Sequence, residues 1–232
     1  MSNNVAIIQA RLGSKRFPKK MLSKLQGKSL IEWVIIRLSY SKSLDKIILA
    51  TSTDKENDEL VDKIRTYNIS IYRGSEFDVL DRFISAAKKF NVKNIIRVCA
   101  DNPFIDPLEI DRLINFYNKS NFDYVCNHRN FLGNNYADGF GAEIFSTSLL
   151  SKVSQMTNSL SDREHVTKYI LNNLKKFNVH AIKPPVSLSY PDLKFDVDYP
   201  ADLYKLEQLA TRGVSFDTKA SEIIKIALNS NL

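Results

Sequence analysis

The chain has 232 residues, 44% of them apolar, and 33 Lys and Arg against 26 Asp and Glu give it a net charge of +7. That length can bury a sizeable core, as one large domain or two small ones. No apolar run reaches a membrane span, and Val5–Ala10 is too short, with no basic residue before it, to be a signal peptide, so the expected compartment is the cytoplasm.

Val5–Ala10 reads as a buried strand. It runs into a loop with Gly13, Ser14 and the cations Arg11, Lys15, Arg16, Lys19 and Lys20. Between Arg11 and Lys28 there are seven cations and no acid, and removing them leaves 26 basic residues against 26 acidic ones. The whole net charge therefore sits in one short stretch. Glycine lets the backbone approach a ligand, successive N–H groups form an anion-binding concavity, and Arg and Lys add fixed charge. A cluster focused at one strand end fits a small polyanion better than nucleic acid, whose binders spread basic residues along a face. The pattern is neither a Walker loop nor a dinucleotide fingerprint.

The spacing then predicts a helix over Ser29–Tyr40, a strand over Lys46–Thr51, a helix over Asp54–Tyr67 and a strand over Ile69–Tyr72. A helix over Asp78–Phe90, a strand over Asn94–Ala100 and a helix over Leu108–Tyr117 follow. Such alternation implies right-handed crossovers and a mostly parallel sheet. Ligands bind outside the carboxyl ends of such strands, which puts the loop after Ala10, Thr51–Asp54, Arg73–Gly74 and Asp101–Pro103 on one rim. After residue 120 the strands are shorter: Phe122–Asn127, Ala142–Phe145, Asn178–Ile182 and Lys194–Val197. Helices are expected over Ser146–Gln155, Arg163–Leu174, Pro200–Thr211 and Lys219–Ala227. We read one α/β domain, residues 1–232. Cys99 and Cys126 lie in apolar stretches and read as buried, reduced thiols, and the three histidines lack metal-ligand spacing.

Asp101 ends a strand, where a carboxylate is well placed for Mg²⁺, although a turn or helix-cap role before Pro103 fits as well. Asp198, just before Pro200, is the second such carboxylate, with helix capping as the plain alternative. Asp196 and Asp198 share a side if that stretch is extended. Two separated aspartates and a basic anion loop suit a metal–triphosphate site.

Six segments, in order, resemble a known family. Arg11-x-Gly13-Ser14-x-Arg16-x-Pro18-x-Lys20 resembles the N-terminal signature of the cytidylyltransferases related to CMP-Kdo synthetases, closest to the branch named for spore-coat polysaccharide biosynthesis protein F. Tyr72–Arg82, Arg97–Pro107, Tyr136–Phe145, Arg163–Thr167 and Val197–Leu203 resemble further stretches of that branch. The resemblance implies a GT-A-like nucleotidyltransferase fold, a mostly parallel mixed sheet flanked by helices. Residues 1–120 would be the nucleotide-binding half, and 121–232 the acceptor-binding and candidate dimerisation half.

It also implies CTP as donor, Arg11 and Lys20 as the charged contacts of a triphosphate wrapped by Gly13, Ser14 and Arg16, and Asp101 and Asp198 as Mg²⁺ ligands. Arg73 and the turn Ser52–Asp54 would lie near the nucleoside. Tyr136, Asp138, Glu143, Arg163, Glu164 and His165 would face a small sugar-like acceptor. No nucleic acid or membrane partner is expected, and a homodimer stays open. The chain departs from the pattern at Lys19, where the family often has Gly, at Ala137 for Pro and at Gly141 for Asp.

The reaction so implied is in-line displacement at the α-phosphorus of CTP, giving a CMP-linked product and pyrophosphate for surface polysaccharide or glycoconjugate. Catalysis would rest on positioning and charge stabilisation. His165 or a metal-bound hydroxide would take the proton of a hydroxyl acceptor, and His165 equally fits a packing role. Glu143 fits an exposed edge-strand charge, and Arg163 a surface pair. The alternative reading is a GT-A glycosyltransferase using a nucleotide sugar, with Asp196-Val197-Asp198 as its metal motif.

Overall fold

In the computed structural model, which describes residues 3–230, the first apolar run becomes β1 (Asn4–Gln9), buried along its length except at Gln9. A strand apolar on both faces must be covered on both. It pairs in parallel with β2 (Lys46–Ser52), which in turn pairs with β3 (Ser70–Gly74). On its other side β1 pairs in parallel with β4 (Asn94–Cys99). The short strands β5 (Tyr124–Cys126), β6 (Glu143–Ser146) and β7 (Val179–Ala181) complete a seven-stranded sheet in the order β3-β2-β1-β4-β6-β5-β7. β6 is antiparallel to both β4 and β5, so the sheet is mixed.

Successive residues of a strand point to opposite faces. Ile8, Leu49 and Ile96 pack under α1 (Leu30–Leu38), α2 (Asp58–Ile64) and, further along the chain, the helix Pro107–Asn118. Ile7, Ile48 and Ile95 pack under α3 (Val79–Lys89) on the other face, together with the helix Thr147–Met156. These two are α4 and α5. A third cluster, around Trp33, Phe104, Phe140 and Phe195, fixes the C-terminal helices. The second half also carries α6 (Leu160–Glu164), α7 (Lys168–Asn172), α8 (Pro200–Thr211) and α9 (Ala220–Asn229). Buried Arg37 donates to the carbonyls of Ile105, Ser215, Phe216 and Thr218, tying the segment before α9 to the main body.

Three expected elements come out differently. Asp54–Tyr67 is a short 3₁₀ turn, Lys55–Asn57, followed by α2, because the buried Asn57 side chain is spent on other backbone rather than on the helix. Arg163–Leu174 is broken at His165–Thr167, where Val166 turns into the core beneath α3 and α5. Lys194–Val197 is extended but makes a single β-bridge, Asp138 to Lys194. Its amides go to loop carbonyls instead: Phe195 N–H donates to Asp138 O (3.1 Å) and Val197 N–H to Asp101 O (2.9 Å). Those two bonds carry the end of this segment to the carboxyl end of β4. Met1, Ser2, Asn231 and Leu232, the ends of the range 1–232, lie outside the described residues.

Candidate active site

Two adjoining cavities open at the carboxyl ends of β1 and β4. The first, about 1180 Å³, lies between the loop after β1, the turn Ser75–Asp78 and α6. The second, about 730 Å³, has Asp138, Asp196 and Asp198 on one side and His128, Arg129, His165 and Lys168 among its other walls. Arg16, Arg97, Cys99 and Asp101 line both, so they mark the seam.

The loop after β1 is held from behind. Leu12 N–H donates to Asn57 Oδ1 (2.9 Å), and Asn57 Nδ2 donates to Ser52 Oγ (2.8 Å), both partners being buried. Lys19 N–H and Ser14 N–H donate back to Leu12 O. Lys19 adopts φ of +53°, the left-handed conformation that a side chain makes costly and glycine tolerates. That is why a glycine suits this position, and Lys19 holds it at the cost of local strain. Arg11, Gly13, Ser14, Lys15, Arg16 and Lys20 all line the first cavity. Acids across it already pair with them: Arg11 Nη1 donates to Glu76 (2.8 Å), and Arg11 Nη2 lies 3.7 Å from Glu164. Arg163 donates to Asp78 (2.7 Å), fastening α6 to the start of α3.

Lys20 is the best-buried cation of the loop. Its Nζ donates to Val197 O (2.6 Å), to Asp101 Oδ2 (3.2 Å) and to Asp198 Oδ1 (3.4 Å). One ammonium thus already bridges the two aspartates proposed from sequence, and Arg16 Nη2 donates to the same Asp198 oxygen (2.9 Å). Asp198 N–H and Tyr199 N–H donate to Asp202 at the start of α8, fixing the approach of Asp198. Asp196 stands beside them. Burial, then the neighbouring charges of Asp138, Asp101 and Asp198, push its carboxyl up to about 6.

Behind the opposite wall Glu143 is fully buried. Arg129 holds Glu143 Oε1 through both Nε (2.9 Å) and Nη2, and Arg97 Nη1 donates to Oε2 (3.2 Å). Burial alone would raise the Glu143 carboxyl, but Arg97 and Arg129 outweigh it and hold it far below the usual range. Burial and Arg129 lower the His128 pKa, so its ring is neutral near pH 7.

Of the other residues expected at the site, Asp138 and His165 line the second cavity, and Arg163 and Glu164 the first. Ser52, Asp54 and Arg73 line neither cavity. Ser52 is buried and braces the loop through Asn57, while Arg73 donates to the carbonyls of Ser52 and Asp54 and pairs with Asp58. Buried Ser52 therefore has no face open to a nucleoside, and Arg73 is engaged behind the loop. Tyr136 is fully buried too, and its hydroxyl donates to Glu109. Glu143 is no exposed edge charge, and it sits behind the cavity wall. Cys99 is half-buried rather than fully buried as expected. It lines the seam as a free thiol that burial pushes up to about 11, which makes it a poor nucleophile.

Two sequence departures now have local reasons. Ala137 N–H donates to Leu188 O (3.0 Å), a bond proline cannot make. A Cβ on Gly141 would sit 2.2 Å from Asn127 Oδ1, so a side chain there would have to displace Asn127. Arg97, Arg129 and Glu76 are the site residues that sequence reasoning did not assign. The signal for Arg97 was present: a charged residue on an apolar strand, four positions before Asp101 and on its side of the alternation.

Residues 5–222 match the family model described as cytidylyltransferase. The spore coat polysaccharide biosynthesis protein SpsF of Bacillus subtilis is 32% identical over 241 residues, covering 100% of this chain and 96% of that one. The 8-amino-3,8-dideoxy-manno-octulosonate cytidylyltransferase of a Shewanella strain is 26% identical, covering 91% of this chain and all of its own. The solved cytidylyltransferase of Leptospira borgpetersenii shares the fold, with a TM-score of 0.92 over 100% of this chain and 96% of that one at 24% identity. The sheet is that of the Rossmann-like nucleotidyltransferases, and the chain belongs to the cytidylyltransferase family, enzymes of nucleotidyl rather than glycosyl transfer.

Proposed function

We propose that this enzyme transfers CMP from CTP to a sugar, sugar acid or related acceptor, with Mg²⁺, and releases pyrophosphate for the assembly of a surface polysaccharide or glycoconjugate. One observation carries the reading: Asp101 and Asp198 share a single cation, Lys20 Nζ, at the seam between a cavity lined by the basic loop and a second cavity. The chain's first half would hold the nucleotide and its second half the acceptor.

The residues fit Mg²⁺. Two carboxylates at the site give the hard oxygen donors it prefers, and they already hold a cation between them. Among the described residues no cluster of three or more His, Cys, Asp or Glu is arranged for a metal, which suits an ion that keeps waters and phosphate oxygens as its remaining ligands. When bound, the ion would polarise the phosphate for attack. Arg11, Arg16 and Lys20 would neutralise the charge that builds on the leaving pyrophosphate, by electrostatic preorganisation. Arg11 must exchange Glu76 and Glu164 for phosphate oxygens, and Lys20 must share its aspartates. His165, at the junction of α6 and α7 on the second cavity, is the group on hand to accept a hydroxyl proton.

The names of the relatives suggest the acceptor class, an octulosonate-type sugar acid for the Shewanella enzyme. The test is pyrophosphate release from CTP across a panel of sugars and sugar acids with Mg²⁺, preceded by thermal shift with CTP, UTP and nucleotide sugars. Stabilisation by CTP with Mg²⁺ and turnover lost in Asp101→Asn support the reading. Failure of CTP to bind, or full turnover in Asp101→Asn, refutes it.

A further inference from the structure

Arg97 projects from β4 into the seam that the two cavities share. The transferred group must pass there, since a nucleotide in the first cavity can reach an acceptor in the second only across the residues common to both. Arg97 is also the spare cation of its cluster. Glu143 is the one carboxylate among two guanidiniums, and Arg129 grips its Oε1 through two nitrogens. Arg97 has only longer bonds, 3.2 Å to Glu143 and 3.4 Å to Gln9 Oε1, and its Nε has no hydrogen-bond partner. Two guanidiniums on one carboxylate leave this group one positive charge in excess, and Asp101 on the same seam is paired with Lys20. The Arg97 side chain is only 12% exposed, so water screens that excess little. An anion brought to the seam would find a charge already fixed in place.

We infer that Arg97, oriented by Glu143 and Gln9, directly contacts the α-phosphoryl group of the bound cytidine nucleotide and its transfer state. The inference rests on the CTP reading above. In that role Arg97 complements the basic loop: Arg11 and Lys20 take the pyrophosphate end, and Arg97 takes the phosphate that stays with the nucleoside. The fork geometry of arginine suits two oxygens of one phosphate.

Calorimetric titration with cytidine, CMP and CTP tests this without knowledge of the acceptor. Wild type should bind CMP more tightly than cytidine. Arg97→Gln should lower CMP affinity by about tenfold or more and leave cytidine unchanged, since a charge-assisted phosphate contact is lost. Arg11→Gln should weaken CTP and spare CMP. Arg97→Lys keeps the buried charge that Glu143 needs, so it guards against a failure to fold, and it should still lower the CMP-to-cytidine ratio several-fold because one ammonium cannot replace the fork. A wild-type ratio in either folded Arg97 variant overturns the inference, because a residue that only neutralises Glu143 would not move it. Wild type that binds none of the three ligands overturns the CTP reading itself, and that failure is visible before any variant is made.

Discussion

Replacing Lys20 by methionine isolates what one ammonium does at the seam. The side chain is 10% exposed, and methionine fills a similar volume without the charge. The variant loses the bond to Val197 O at 2.6 Å and the cation between Asp101 and Asp198. A hydrogen bond from a charged donor is worth about 1.5–3 kcal/mol. The two carboxylate oxygens, both bound by one nitrogen at 3.2 and 3.4 Å, are left within about 6.6 Å of each other. Their repulsion at that distance is about 0.6 kcal/mol at the permittivity of water and about 2.5 kcal/mol at an effective value near 20. Both aspartates are about one-third exposed, which favours the lower figure. The total, roughly 2–4 kcal/mol without metal, corresponds to a fall in Tm of roughly 4–16 °C for a chain of this size. Mg²⁺ should then restore more stability to the variant than to wild type, because the ion enters a pair that no longer has a cation bridging it, Arg16 holding Asp198 alone. Thermal melts with EDTA and over a Mg²⁺ series measure both effects, and CTP turnover should fall sharply even where stability recovers. A variant that melts like wild type in EDTA, and gains no more than wild type from Mg²⁺, would refute the idea that Lys20 and a metal compete for the same two carboxylates.

Away from the seam, Glu32 makes the strongest pH prediction. Its carboxylate accepts from Ser29 N–H (2.8 Å), Ser29 Oγ (2.7 Å) and Tyr67 Oη (2.7 Å), and although burial would raise its pKa these donors and Lys63 bring it down from 4.5 to about 2. A depressed carboxyl stabilises fully above its unfolded pKa and loses that contribution as pH falls from about 4.5 to about 2. Two and a half pKa units correspond to roughly 3 kcal/mol. Glu32→Gln should therefore cost about that much in urea unfolding at pH 7 and progressively less toward pH 2, and a pH-independent difference would contradict the assignment. Gly141→Ala places a methyl 2.2 Å from Asn127 Oδ1, which is fixed by accepting from Ala142 N–H (2.8 Å). Overpacking of this kind costs about 1–3 kcal/mol, so the variant should melt measurably below wild type; an unchanged Tm would mean that Asn127 moves freely.

Much of this was legible in the sequence because it is local. The strand–helix alternation and the segment Pro200–Thr211 follow from periodicity and from proline at a helix start. The basic loop announced itself by charge arithmetic. What periodicity misses is a residue whose backbone partner is remote in the chain. Phe195 and Val197 alternate like a strand, yet their amides bond to Asp138 and Asp101, and that departure is what delivers Asp198 to Lys20. The same holds for side chains. Tyr136 and Glu143 sit in a motif that resembles an acceptor-binding stretch, but Tyr136 ends on Glu109 and Glu143 on two arginines. A motif fixes which residues keep company and not which of them faces the ligand. In this chain Ser52, Tyr136 and Glu143 are buried and Arg73 is half-buried, and all four side chains are spent on neighbouring protein groups. Arg97, which no motif reading singled out, has what a transferred phosphate requires: a position shared by both cavities and a charge its neighbours leave unneutralised.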